Sequence, residues 1–399
     1  MENPVPGKQE KLYGLDHLRA LAILLVLGFH YLLPIFGHPA WLTKTTKFGW
    51  TGVDLFFVLS GFLISSQLFS QLKKGTAISL KTFFIKRFFR IIPVYLVIVG
   101  IYFCWPFFRE KEALPALWKF LTFTQNLGQN INETGTFSHA WSLCVEEHFY
   151  LLLPGILILL LRINRFKKSY WLLIGLFLFG FVCRLYSWYG LYMPAVESRS
   201  TASSWVMYIY YPTYNRLDGL LVGVSIAAVY QYAPRLWKKI AGYGNYWILI
   251  SLAVLTGAWF LCANPSSFTA SIFGFPLVAL GYGLLVLGAI CPSSFLYQWN
   301  SKATTLLATL SYAIYLSHKG VIHLVQHYLS ITGINRNSNG MMLICFVFCI
   351  IAALLLHLTI EKPFMKLRDR VLGQKIMTST GHSLQPFDEG KETADARVI

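Results

Sequence analysis

The sequence predicts an all-α, polytopic integral membrane protein of about ten transmembrane helices, with both termini cytoplasmic. Three observations carry this. Of 399 residues, 55% are hydrophobic and only 13% charged, whereas soluble domains keep roughly a quarter of their residues charged. Mean hydropathy is +0.53. Apolar runs of span length, about 20 residues, recur along almost the whole chain, with Lys and Arg bunched between them. A net charge of +17 in a soluble protein would raise nucleic acid as a partner. Here the bunching is that of cytoplasmic membrane loops and no reading motif is present, so the expected partner is the lipid bilayer and no nucleic acid.

The elements follow in order. The first span, 15–36, is too long for a signal-peptide core and lacks a small-x-small cleavage site, so it is retained. The second, 50–69, is followed by a basic segment, 70–90, with Lys73, Lys74, Lys81, Lys86, Arg87 and Arg90. The third, 91–108, leads into a mixed-charge loop. The fourth, 139–161, ends at "RINRFKK". The fifth, 170–189, and sixth, 212–232, precede Arg235, Lys238 and Lys239. The seventh to tenth are 245–263, 271–290, 303–329 and 341–360, followed by Lys362, Lys366, Arg368 and Arg370. An even number of spans with a cytoplasmic N-terminus puts every basic segment on one side. Residues 1–365 then form one membrane domain, and the polar, aperiodic residues 366–399 a disordered cytoplasmic tail. The seven cysteines sit mostly in apolar segments and form no C-x-x-C or zinc pattern. No metal is expected.

Ionisable residues inside spans are costly and point to function. The first span, "LDHLRALAILLVLGFHY", carries Asp16, Arg19 and His30. Eleven residues at 100° each come to about 20° past three full turns, so Arg19 and His30 share a face roughly 16 Å apart along the axis. Asp16, three residues before Arg19, is placed to pair with it. In "WTGVDLFFVLSGFLI" Asp54 falls at about the depth of His30, and a carboxylate beside a buried His fixes its tautomer. "SHAWSLCVEEHFYLLLP" sets Trp141, Ser142 and Glu146 near the outer end of the fourth span, with Glu147 pointing away. "YNRLDGLLVG" adds Arg216 and Asp218, and "LSYAIYLSHKGVIH" adds Tyr315 and His318. His139, His148, Arg184, Lys319, His323, His327 and His357 complete the set. In "KTFFIKRFFRIIPVY" the cations Lys86, Arg87 and Arg90 can share a face. They form either a lipid-bound interfacial helix or a phosphate clamp. The pattern suits a general base at the outer side and an acyl, phosphoryl or proton relay across the membrane.

Taken in order, these strings resemble the membrane-bound acyltransferase 3 family, which includes O-antigen and other exported-glycan O-acetyltransferases. The match runs from about Leu12 to Pro363: Arg19-x10-His30, "GVDLFFVLSGFLI", the Arg87-x-x-Arg90 pair, "WSLCVEEHFY", "RLDGLLVG", "LSYAIYLSH" and "EKP". The resemblance implies that acyl-CoA, with acetyl-CoA as the expected donor, gives its acyl group from the cytoplasm to a saccharide hydroxyl at the outer face of the inner (plasma) membrane. It implies catalytic roles for Arg19 and His30 and a CoA-phosphate role for Lys86, Arg87 and Arg90. His30 is then the base that deprotonates the acceptor, or a nucleophile forming an acyl-imidazole, with the base favoured. Asp54 and Glu146 are expected to orient it or the acceptor, and Trp141, Ser142, Arg216, Asp218, Tyr315 and His318 to line the acceptor site. Many members carry a C-terminal extracytoplasmic domain; this chain is expected to act alone or with a separate partner. The alternative class is a transporter or flippase for a glycan precursor, which has no need of a CoA site.

Overall fold

The computed structural model describes residues 12–197 and 202–373, and among these it is all-helical, without a strand. Ten long helices occupy the ten expected segments: α1 (Tyr13–Tyr31), α2 (Gly52–Lys73), α3 (Leu80–Cys104), α4 (Trp141–Arg162), α5 (Ser169–Tyr186), α6 (Asp218–Tyr232), α7 (Gly244–Leu261), α8 (Phe275–Ile290), α9 (Lys302–Ile331) and α10 (Asn339–Leu356). Side-chain caps fix three starts. Ser79, Ser301 and Ser338 each accept, at Oγ, the backbone N–H three residues on, satisfying a donor that the first turn leaves free.

Seven helical segments are long and apolar enough to cross a membrane: Ala40–Lys73, Leu80–Cys104, Ser138–Arg162, Ser169–Glu197, Gly244–Leu261, Ala270–Ile290 and Asn339–Val371. The chain is a multi-pass membrane protein. α1, α6 and α9 are not among the seven. α6 has only 15 residues, while α1 and α9 carry Asp16, His17, Arg19 and His30, and His318, Lys319, His323 and His327.

Two boundaries differ from expectation for physical reasons. The basic stretch 81–90 is no separate interfacial element. Its residues are the first turns of α3, which runs unbroken from the Ser79 cap through Pro93. At the other end, helix α11 (Lys362–Val371) continues past residue 365, and residues 374–399 of the expected tail lie outside the described residues.

The helices that position the site touch closely. A Cβ on Gly61 would lie 2.2 Å from the Leu220 carbonyl oxygen, and one on Gly223 2.3 Å from that of Val58. α2 and α6 therefore meet backbone to backbone, as small residues permit. The turn Lys47–Thr51 leans on α1, where a Cβ on Gly49 would lie 2.3 Å from the Leu25 oxygen. α1 and α2 are thus neighbours, as their short connection implies, and α1 also packs along α9. The loop from 105 to 140 folds into the bundle. Phe137 is buried at φ +56°, an uncommon conformation for a bulky residue. It is held there by stacking on Tyr102 at 4.4 Å and by its N–H donating to Glu110 Oε1 at 3.0 Å.

Candidate active site

At the C-terminal end of α1, three imidazoles meet. His30 Nδ1 lies 2.8 Å from His318 Nε2, with the rings stacked at 4.9 Å. His139, delivered by the inward-folded loop, sits edge-on to both, at 5.7 Å from His30 and 4.8 Å from His318. His139 is 1% exposed, and neither of its ring nitrogens has a hydrogen-bond partner among the described residues. A buried polar group left so costs free energy unless a ligand completes it. Lys319, the residue after His318, holds the loop in place: its Nζ donates to Ser138 Oγ at 3.3 Å and pairs with Glu110 at 3.7 Å.

A line of polar side chains leads from this cluster toward the N-terminal end of α1. Tyr315 donates to the His139 carbonyl oxygen, and its hydroxyl lies 2.6 Å from Ser142 Oγ. One turn further along α4, Glu146 accepts from Ser60 at 3.0 Å and from the Tyr150 hydroxyl at 3.0 Å. The Arg87 guanidinium stands over the Tyr150 ring at 5.7 Å and donates to Gln67 at 3.3 Å. Arg19 lies in electrostatic range of Arg90, Asp16, Tyr150, Arg87 and Glu146, and its guanidinium makes no direct ion pair or hydrogen bond among the described residues. Arg90 Nη1 pairs with Glu361 Oε1 at 2.6 Å, and His357 holds the other oxygen of that carboxylate at 2.9 Å. Beside His357 opens a cavity of about 460 Å³ lined by Tyr13, Asn300, Lys302, Thr305, Leu306, Thr309, Leu310, Leu354 and His357.

Four of the expected site residues are bound up elsewhere. Asp54 faces α6 and not α1: Arg216 Nη2 donates to its Oδ1 at 2.8 Å. The physical reason is that Asp54 and Gly61 lie seven residues apart on one face, and that face is the one pressed on α6. Arg184 pairs with Asp218 at 2.7 Å. Arg216 is boxed by Phe275, Tyr210 and Trp141, whose ring centroids lie 4.0, 4.6 and 5.4 Å from its Cζ, contacts that favour a cation. Trp141 in turn stacks on Tyr211 at 5.2 Å. Asp16 accepts from Thr305 at 3.2 Å and acts on Arg19 through its charge rather than through a direct ion pair. Glu146 lies one turn from Ser142 along α4, on the side of Arg87, bonded to Ser60 and Tyr150. The arrangement brings His318 to His30 and links Tyr315 and Ser142 to the neighbouring His139 segment, with Lys319 holding that segment and Glu361 joined to Arg90.

The family model described as acyltransferase domain matches residues 12–358. The chain belongs to the acyltransferase 3 family. Among its relatives, the peptidoglycan O-acetyltransferase OatA of Listeria monocytogenes serovar 1/2a is 28% identical over 343 residues, which is 80% of this chain and 50% of that protein. The O-acetyltransferase OatA of Staphylococcus aureus strain NCTC 8325 is 28% identical over 346 residues, 80% of this chain and 53% of that protein. The chain thus spans about half the length of the curated relatives it matches. No solved structure gives a significant match. Arg19 and His30 stand at the two ends of the polar line, and Arg90 is joined to the "EKP" glutamate, Glu361.

Proposed function

We propose that this protein is a transmembrane O-acyltransferase that moves an acetyl group from cytoplasmic acetyl-CoA to a hydroxyl of a saccharide at the outer face of the plasma membrane. The observation that carries this reading is the polar line itself. Inside the bundle it runs from three arginines, through Tyr150 and Glu146, to an imidazole cluster. The Listeria relative named as a peptidoglycan O-acetyltransferase supports a glycan acceptor, and in this reading the polar helices α1, α6 and α9 cross the membrane with the seven apolar ones.

The donor is a polyanion with a long, thin arm. Arg19, Arg87, Arg90 and Lys86 attract its phosphates, and the cavity at Lys302, Asn300 and His357 offers room beside them. The thioester reaches inward along the line. His30 removes the proton of the acceptor hydroxyl as general base, the oxygen attacks the thioester carbonyl, and the C–S bond breaks. The departing thiolate takes the proton from His30, so the base is regenerated. The buried His139 stands beside His30 and His318, where its ring is available to the acceptor. Asp54, Arg216, Asp218, Arg184 and Trp141 hold the scaffold, and Ser142 and Tyr315 set the loop that carries His139.

Titrating acetyl-CoA onto purified protein tests the reading. Saturable binding is expected, weakened about tenfold, or 1.4 kcal/mol, when Arg87 or Arg90 is replaced by Gln. A folded protein that binds no acetyl-CoA overturns it and points to transport.

A further inference from the structure

We propose that His318 fixes the tautomer of His30, so that Nε2 of His30 is the nitrogen that takes the acceptor proton. The assignment rests on the reading of His30 as the base and adds a positioning residue to it.

The argument follows the hydrogens. His318 Nδ1 lies 2.8 Å from the Tyr315 carbonyl oxygen and 3.0 Å from that of Ile314. A carbonyl oxygen only accepts, so Nδ1 carries the hydrogen. The neutral ring then has a lone pair, and no hydrogen, at Nε2. That nitrogen is 2.8 Å from His30 Nδ1, so His30 Nδ1 is the donor and carries its own hydrogen. A neutral His30 is left with its lone pair at Nε2. His318 is fully buried and its Nδ1 is tied to its own helix, so the orientation is set by the backbone of α9 and does not depend on a flexible partner.

This is the role that the sequence reserved for a carboxylate at Asp54. An imidazole performs it without placing a negative charge inside the membrane. During transfer the acceptor O–H breaks and an N–H forms at Nε2 of His30. The imidazolium keeps its Nδ1–H bonded to the His318 lone pair. When the acyl carbon–sulfur bond breaks, the hydrogen at Nε2 passes to the CoA thiolate.

The test compares acetyl-CoA-dependent transfer by the native protein, His30→Ala, His318→Gln and His318→Met. Gln and Met have the same chain length, but only Gln offers an oxygen that accepts from His30 Nδ1–H. His318→Gln is expected to keep transfer within about tenfold of native, and His318→Met to lose about 10²-fold or more, the range of general-base assistance. KM for acetyl-CoA is expected to stay unchanged in both. Equal rates in the Gln and Met variants overturn the tautomer assignment alone, provided that His30→Ala is inactive. An active His30→Ala overturns the base reading as well. Should His318→Met fail to fold, alkylation of the native protein with iodoacetamide gives the same decision. A carboxamidomethyl group on Nε2 of His30 supports the assignment, and one on Nδ1 overturns it.

Discussion

Two groups of ionisable residues are buried in this bundle, and they are built on opposite plans. In the first, Asp54 meets Arg216 and Asp218 meets Arg184, at 2.8 and 2.7 Å. Each buried charge has its opposite, and aromatic rings close over Arg216. In the second, neither ring nitrogen of His139 has a hydrogen-bond partner among the described residues, and Arg19 makes no direct ion pair there, although the carboxylates of Asp16 and Glu146 lie in electrostatic range. Burying ions is expensive, so both groups look functional when read from sequence alone. The difference lies in balance. The paired group joins α2, α5 and α6 through its ion pairs, although Asp54 Oδ2, Arg184 Nη2 and Arg216 Nη1 remain without hydrogen bonds among the described residues; on the proposed function, the second group is completed by substrate.

The largest expected effects separate the two plans. His30→Ala should abolish transfer, by about 10²-fold to 10⁴-fold for loss of a general base, with folded yield unchanged. Arg216→Ala should do the reverse. It leaves Asp54 buried and unpaired, a loss of about 3–5 kcal/mol, so folded yield in detergent should collapse and any surviving protein should retain acetyl-CoA binding. Size-exclusion profiles and transfer assays on the same preparations decide it. If Arg216→Ala folds normally and is inactive, the ion pairs belong to the chemistry and the comparison breaks. A double variant, Asp54→Leu with Arg216→Met, sharpens it. Removing both charges should recover much of the yield that either single change loses, because the uncompensated charge is gone.

How much of this was legible beforehand follows the same division. The helices were readable because period and length declare an apolar span, and Arg19 and His30 were readable because 11 residues return to the same face. The partners of Asp54 were not. Spacing gives the face of a helix, and Asp54 shares one with Gly61, but which helix lies against that face is decided by packing. His139 was visible only as one ionisable residue among many, since its place depends on a long loop turning inward through Phe137 in the left-handed region. The Arg90–Glu361 pair joins residues 271 apart, and no local pattern gives such a contact. Local signals named the residue types of the candidate site, and tertiary contacts chose which of them meet.

A smaller effect is expected at the helix contact that builds the paired group. Gly223→Ala places a Cβ 2.3 Å from the Val58 oxygen and 2.5 Å from the Phe62 nitrogen. α2 and α6 must then move apart, at a cost of about 1–3 kcal/mol for overpacking. Gly257, whose Cβ would meet nothing within 4 Å, is the control, and Gly257→Ala should leave the melting temperature in detergent unchanged or slightly raised. Equal melting temperatures for the two variants would show that the two helices do not depend on that contact.

The smallest expected effect probes the middle of the polar line. Ser60→Ala removes one of the two hydrogen bonds that hold Glu146 and leaves that from Tyr150 in place. A single neutral donor contributes about 0.5–1.5 kcal/mol, so transfer should fall less than about tenfold and melting should shift only slightly. Tyr150→Phe takes the other bond and should behave alike in stability. It also removes the hydroxyl beside Arg87, so it should raise KM for acetyl-CoA where Ser60→Ala does not. A loss as deep as that of His30→Ala from either change would mean that Glu146 takes part in proton transfer, and the boundary between the reacting cluster and its supports would move one helical turn toward the arginines.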